Sequence, residues 1–167
     1  MIDRTILKIA GTSLVVCGTT FSGYLRAKKI KEQIMLRKSL YKLLLHIKKG
    51  ISGDGMGLKE IYSSFDSAFP EKTGFLDILK SDRENPLNDA LETVRTYLPE
   101  ELYNIYCEFS ENLGKSRSGE CEVQLISRYE DIILKKEESY IQKDETEIQL
   151  CKKLGLLAGI IAAIVFI

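Results

Sequence analysis

The segment FSENLGKS, residues 109–116, ends in the Gly-Lys-Ser triplet that closes a phosphate-binding loop. Such a loop needs a glycine five positions before Gly114, with a strand leading in and a helix beginning at the lysine, so that backbone N–H groups surround the phosphates. Phe109 stands at the position of that glycine, and a helical pattern precedes it. We therefore expect no nucleotide site, and we interpret Gly114 as a helix end and Lys115 as a partner of the helix dipole.

The other reactive side chains form no arrangement typical of catalysis or metal binding. The segment GDGMG, residues 53–57, lacks the third glycine of a dinucleotide motif because Leu58 stands in its place. His46 is the only histidine, and the four cysteines show no C-x-x-C spacing. Many carboxylates are present, but none lies beside a nucleophile in the sequence. We expect no catalytic residues, no metal and no cofactor.

The two ends of the chain are strongly apolar. Residues 154–167 contain no polar side chain, and residues 6–25 contain one charge, Lys8. A transmembrane helix needs about 20 apolar residues, so the C-terminal run is short unless Lys152 and Lys153 extend toward the headgroups. We predict transmembrane helices at residues 1–25 and 152–167. The first is expected to be a retained anchor, and a cleaved signal peptide is the alternative.

Basic residues flank both predicted spans on the side of the middle of the chain. Residues 26–49 carry nine lysines and arginines against one acid, Glu32. Basic loops stay in the cytoplasm, so residues 26–151 should be cytoplasmic and both termini should lie across the membrane. The residues that determine this topology are Arg26, Lys28, Lys29, Lys31, Lys152 and Lys153.

The net charge of zero conceals an acidic middle section. Residues 50–151 carry 22 acids and 11 bases. This excess argues against nucleic acid, whose binding needs concentrated positive charge, whereas the preceding basic segment suits anionic lipid headgroups. We predict that two acidic helix faces dock a basic protein surface, and a merely solvated face is the alternative. The candidate residues are Glu100, Glu101, Glu108, Glu111, Glu130, Asp131, Glu137 and Glu138.

Apolar spacing predicts helices along the whole chain. One helical face contains Leu36, Leu40, Leu43, Leu44, Ile47 and Ile51, and nothing between Gly23 and Gly50 breaks a helix. A shorter helix is expected from about Gly57 to Phe69, closed by Pro70, and further helices should begin at Pro86, after the N-cap Asn85, and at Pro99. A final helix of roughly 70 Å should begin near residue 120. No strand-like alternation occurs, so the predicted class is all-α, with a helical cytoplasmic domain at residues 26–151.

Small residues within the predicted spans indicate helix packing. Gly155 and Gly159 form a G-x-x-x-G motif that Ala163 extends, and such spacing lets two helix backbones approach closely. Gly11 and Gly18 give the first span a small face as well. We expect these residues to pack membrane helices together, with a homo-oligomer as one outcome.

Four segments, in their order and spacing, resemble the stage III sporulation protein AB family of endospore-forming bacteria. They are YLRAKKIKEQIMLRKSLYKLL after the first span, GMGLKEIYSSF, FSENLGKS, and KKLGLLAGIIAAIVFI at the end. The resemblance covers essentially all 167 residues. No single motif is diagnostic, so it rests on the arrangement of the four segments.

The resemblance implies a membrane component of the engulfment-stage assembly that links the mother cell to the forespore. Family members distantly resemble the F-type platform proteins of type II secretion and type IV pili, which are helical, membrane-embedded and coupled to a cytoplasmic ATPase. The implied partners are that ATPase and other membrane components, with the central domain on the mother-cell side. A membrane-tethered helical adaptor or regulator unrelated to export is the alternative.

Overall fold

The computed structural model describes residues 4–67, 69, 73–116 and 118–166. For some of these residues it describes the backbone but not the side chain, namely residues 4–10, 12, 15, 54, 162, 163, 165 and 166. The described residues form helices and connecting turns without a strand, so the all-α prediction is confirmed. The α-helices are α1 (Arg4–Lys49), α2 (Leu58–Ser64), α3 (Phe75–Leu79), α4 (Pro86–Val94), α5 (Glu100–Asn112) and α6 (Gly119–Phe166). A π-helical turn (Gly50–Asp54) follows α1, and a 3-10 turn (Arg95–Tyr97) follows α4.

Two compact units can be distinguished. Residues Gln33–Ser139 form the first, which we call the helical domain. The described residues up to Glu32, together with those from Tyr140 onward, form the second, which we call the helix pair. Helices α1 and α6 contribute to both. The predicted division into residues 1–25, 26–151 and 152–167 stays a prediction.

The core of the helical domain is built on the predicted apolar face of α1. Leu36, Leu40 and Ile47 are each at most 1% exposed, as expected for a helical stripe that faces other helices. Phe75 of α3 and Phe109 of α5 are among the largest buried side chains beside them. The face predicted from spacing is therefore confirmed as the domain's central packing surface.

The glycine-rich break after α1 lies where the sequence places it. The π-helical turn ends at Gly55, whose φ of 60° is readily adopted by glycine. A Cβ atom on Gly50 would lie 2.6 Å from Ile61 Cγ1, so the turn also permits a close approach to α2. The chain can thereby reverse within a few residues.

The short helices begin at the predicted signals, but one ends early. Helix α4 starts at Pro86 after Asn85, and α5 starts after Pro99, both as expected. Helix α2 ends at Ser64, whereas the pattern predicts it to continue to residue 69, because Phe65 adopts an extended backbone. Pro70, the predicted stop, lies outside the described residues.

The last helix, α6, is continuous over 48 residues, which confirms the prediction of one long C-terminal helix. Over the residues that the structure describes, no helix has a segment both long enough and apolar enough to cross a membrane. The spans predicted at residues 1–25 and 152–167 are therefore not supported. Polar side chains such as Thr19 and Thr20 interrupt the first run, and both spans include residues outside the described part.

Candidate interaction sites

The predicted acidic residues of α5 lie on its solvent-facing side. Glu100, Glu101, Glu108 and Glu111 are all exposed. Glu101 forms an ion pair with Lys136 of α6, and Glu108 accepts a hydrogen bond from the Tyr129 hydroxyl at 3.0 Å. The pKa of the Tyr129 phenol lies above its usual range. Burial is the main cause, and the hydrogen bond to the Glu108 carboxylate also raises the pKa. Part of this acidic face therefore forms contacts between α5 and α6.

The acidic residues of α6 fall into two groups that face different ways. Asp131 and Glu138, seven residues apart, share an exposed face and form no ion pair with described residues. Glu130 is half-buried and accepts a hydrogen bond from Lys48 at 2.6 Å. Burial and then the Glu130 carboxylate raise the pKa of the Tyr41 phenol. Asp131 and Glu138 are thus open to a partner, whereas Glu130 belongs to the contact between α1 and α6.

Glu137 lies in the interior of the helical domain. Its residue is 8% exposed, and its carboxylate oxygens accept hydrogen bonds from the Arg37 Nε–H at 3.0 and 3.1 Å. Burial raises the pKa of the neighbouring Tyr106 phenol, and the negative charge of Glu137 raises it further. Glu137 is therefore not accessible to a docking partner.

The loop that begins with Gly114 holds a carboxylate of its own chain. Gly114 adopts a φ of 80°, which confirms its predicted role as a helix end. Its N–H donates to Glu122 Oε1 at 2.6 Å, and the Ser116 N–H donates to Glu122 Oε2 at 3.2 Å. Glu122 is only 5% exposed. The backbone amides that a phosphate-binding loop would direct at a nucleotide are therefore already occupied by Glu122.

In the helix pair, α1 and α6 approach closely at glycines. A Cβ atom on Gly155 would lie 3.0 Å from the Thr19 carbonyl oxygen, and one on Gly159 would lie 3.2 Å from Val16 Cα. Gly23 of α1, which is not among the predicted packing residues, is closer still, with its Cβ position 2.6 Å from the Cys151 carbonyl oxygen. The G-x-x-x-G motif thus packs against α1 of the same chain.

Gly11 and Gly18, the predicted packing residues of the first span, have no such contact in the described structure. A Cβ atom on Gly11 or Gly18 would meet nothing within 4 Å. The side chain of Ala163 lies outside the described residues. Their predicted roles in membrane packing stay predictions, and Gly23 is the small residue of α1 that contacts α6.

The topology-determining residues predicted from charge lie on the surface of the helix pair. Arg26 donates to Glu147 at 2.9 Å, and the other predicted residues, Lys28, Lys29, Lys31, Lys152 and Lys153, are exposed. The same unit exposes many large apolar side chains. Leu14, Phe21, Tyr24, Leu154, Ile161 and Ile164 are each at least 60% exposed. The unit therefore exposes both large apolar side chains and several lysines.

No group of histidine, cysteine and carboxylate side chains among the described residues could hold a metal ion. The absence of catalytic residues and cofactors stays a prediction. The candidate interaction sites are therefore surfaces: an acidic face on α5 and α6 in the helical domain, and a surface of exposed apolar and basic side chains on the helix pair.

These features define an all-α protein in which two long helices, α1 and α6, contribute both to a small helical domain and to a helix pair. The family model described as stage III sporulation protein AB matches residues 8–167. The chain therefore belongs to the stage III sporulation protein AB family, and this membership implies a role in sporulation. No curated protein and no solved structure matches the chain.

Sequence reasoning missed Glu122 and Arg37 as structural residues, although a signal for both was present. Within the helical domain, the buried positions of α6 are 122, 126, 129, 133 and 137, spaced by three or four residues. Glu122 and Glu137 thus extend the stripe of Ile126 and Ile133 at both ends. Arg37 likewise lies three residues before Leu40 on the buried face of α1.

Proposed function

We propose that the protein is a non-enzymatic platform component of a sporulation-specific, secretion-like channel between mother cell and forespore. In this role the helix pair anchors the protein in the bacterial cell membrane. The helical domain lies on the mother-cell side and couples a cytoplasmic ATPase to the other membrane components. Membership of the stage III sporulation protein AB family supports the sporulation context.

The observation that carries the proposal is the distribution of exposed apolar side chains. Most of the large exposed hydrophobic residues belong to the helix pair, including Leu14, Phe21, Leu154 and Ile164. Soluble surfaces rarely expose so many apolar side chains together, and such patches mark a protein or membrane contact. The exposed lysines at 152 and 153 suit anionic headgroups at the edge of a bilayer.

The acidic face of the helical domain supports docking of a basic partner. Glu100, Glu111, Asp131 and Glu138 are exposed and form no ion pair with described residues. Unpaired charges of one sign attract an oppositely charged surface, mainly by increasing the association rate. The partner proposed for this face is the ATPase of the same sporulation complex.

Capture of the purified ATPase by the full-length protein in detergent tests this docking. The informative variant reverses Glu111, Asp131 and Glu138 to lysine, since these three are exposed and lie away from helix N-termini. We expect capture to fall severalfold, and wild-type capture to fall as salt rises, because exposed charges are screened within about 10 Å at 0.1 M.

The matched control reverses Asp66, Glu84 and Glu145, which are also exposed acids without a described partner and change the net charge equally. The control should capture the ATPase as wild type does. Equal capture by both triple variants at low salt would show that the α5–α6 face is only solvated, and it would contradict the proposal.

A further inference from the structure

A cleft in the helical domain contributes to none of the surfaces described above. It has a volume of about 390 Å³ and lies between α2, α5 and the segment that leads from α3 into α4. Its apolar lining is formed by Leu58, Leu79, Leu87 and Leu113. Ligand pockets in proteins typically begin at this size and combine an apolar lining with a few polar groups.

Two hydroxyl groups line the cleft without a hydrogen-bond partner. Neither the Tyr62 hydroxyl nor the Ser110 hydroxyl forms a hydrogen bond with any described residue, although both residues belong to the cleft lining. Tyr62 is only 5% exposed. Since the described residues include no fully buried side-chain oxygen that lacks a partner, the Tyr62 hydroxyl is accessible to solvent, and Tyr62 lines the cleft. A buried phenol of this kind normally has a partner, so the cleft offers a donor to a ligand.

The formal charges around the rim of the cleft balance, so the rim gives an ionic ligand no excess of opposite charge. Lys59 pairs with Asp82 at 2.5 Å, and Arg83 pairs with Asp89 at 3.0 Å. The two other charged residues of the rim, Lys80 and Glu84, have opposite signs.

An anion is also disfavoured at the inner end of the cleft. Burial and then the Glu122 carboxylate raise the pKa of the Tyr62 phenol, so a negative charge at its hydroxyl is already disfavoured. A second anion beside Tyr62 would be repelled by Glu122. The ligand that suits this position is a neutral hydrogen-bond acceptor.

We propose that this cleft binds a neutral peptide segment of a partner protein, with one branched apolar side chain on the four leucines and backbone carbonyl groups accepting hydrogen bonds from Tyr62 and Ser110. A peptide supplies both requirements at once, since each residue carries an amide carbonyl beside its side chain. None of the lining residues belongs to the acidic face, so this site is independent of the ATPase docking proposed above.

The test is a methyl NMR titration of the full-length protein in detergent, with leucine methyl groups labelled. The probe is N-acetyl-leucine N-methylamide, which presents one leucine side chain between two neutral amides. We expect saturable shifts at Leu58, Leu79, Leu87 and Leu113, and none at Leu102, which is buried but does not line the cleft. N-acetylglycine N-methylamide, which lacks the side chain, should cause no saturable shift.

Two substitutions test the hydrogen bonds without changing the apolar lining. Tyr62→Phe and Ser110→Ala each remove one hydroxyl, and each should weaken probe binding roughly three- to tenfold, as expected for one hydrogen bond. Ser127→Ala is the matched control, because its hydroxyl donates to the Val123 carbonyl of its own helix. The control should bind the probe as wild type does, and Ser110→Leu should abolish binding by filling the cleft.

Three results would overturn the proposal. Unchanged affinity in the Tyr62→Phe, Ser110→Ala double variant would show that the hydroxyls do not contact the ligand. Equal or tighter binding of N-acetyl-leucine with its free carboxylate would exclude the neutral-acceptor site. Shifts that follow detergent concentration instead of probe concentration would indicate an acyl chain as the occupant.

Discussion

The Arg37 guanidinium and the Glu137 carboxylate form a buried ion pair that joins α1 to α6 within the helical domain. The Nε–H donates to both carboxylate oxygens, at 3.0 and 3.1 Å, and the two residues are 3% and 8% exposed. Burying two charges has a desolvation cost that their attraction only partly offsets. The pair therefore makes the register between the two helices sensitive to the loss of either partner.

Removing one member of this pair should destabilise the helical domain strongly. Glu137→Ala leaves the Arg37 charge buried without its carboxylate, which typically costs about 3–5 kcal/mol. The measurement is denaturant unfolding of the full-length protein, followed by tyrosine fluorescence. In the double variant Arg37→Met, Glu137→Leu no charge remains, so most of the loss should be recovered. A Glu137→Ala variant as stable as Glu138→Ala, the exposed neighbour, would contradict the assignment.

Stability should fall as the pH rises above about 10, the ordinary pKa of tyrosine. Burial raises the pKa of the Tyr106 phenol in the folded state, so above that pH the unfolded chain loses its proton first and binds fewer protons. Each such tyrosine contributes a loss of at most about 1.4 kcal/mol per pH unit.

The pH dependence can be assigned to Tyr106 by substitution. Tyr106→Phe should reduce the slope of unfolding free energy against pH between about pH 10 and 11.5, whereas Tyr24→Phe, at an exposed position, serves as the comparison. Unfolding free energies from denaturant titrations at several alkaline pH values provide the measurement. Identical slopes for wild type and Tyr106→Phe would rule out this tyrosine as a source.

The helix pair should tolerate alanine at Gly18 but not at Gly23. The added methyl group at Gly23 would lie 2.6 Å from the Cys151 carbonyl oxygen, which is backbone and must shift, at a cost of about 1–3 kcal/mol. At Gly18 it would meet nothing within 4 Å and would gain about 1 kcal/mol of helix propensity. Amide hydrogen exchange between Cys151 and Gly159 should accelerate only in Gly23→Ala. Equal protection in both variants would argue against the close approach.

The loop after α5 should depend on Glu122 and not on Lys115. Glu122→Ala leaves the Gly114 and Ser116 N–H groups without their acceptor, at about 1–3 kcal/mol for each group that stays buried. Lys115→Ala should leave stability unchanged, because this side chain is exposed and forms no described ion pair. Calorimetric titration with Mg-ATP should detect no binding to wild type. Tight ATP binding that Lys115→Ala abolishes would refute the interpretation of the loop.

Sequence patterns predicted the elements of the fold because the responsible interactions are local. The face of Leu36, Leu40 and Ile47 follows helical spacing, and Gly114 and Pro86 act on their own backbone. The extent of α2 was predicted wrongly, since Phe65 is drawn into the core by contacts that spacing does not encode, including its ring contact with His46 at 5.3 Å.

The polar interior was predicted poorly because charges were assumed to face water. Glu122, Glu137 and Arg37 occupy core-facing positions, and each is stabilised by a partner that is distant in sequence or lies in a loop. Pairings of that kind depend on tertiary geometry. The cleft lined by Tyr62 and Ser110 was missed for the same reason, since its residues come from several helices.

Membrane topology is the most direct test of the proposed platform role. In a chain whose four native cysteines are replaced by alanine, Glu84→Cys and Asp3→Cys each introduce one thiol, and intact cells are treated with a membrane-impermeant thiol reagent. The account predicts that Cys at position 3 reacts in intact cells, whereas Cys at position 84 reacts only after the cells are permeabilised. Ready labelling at position 84 in intact cells would contradict a domain that faces the ATPase.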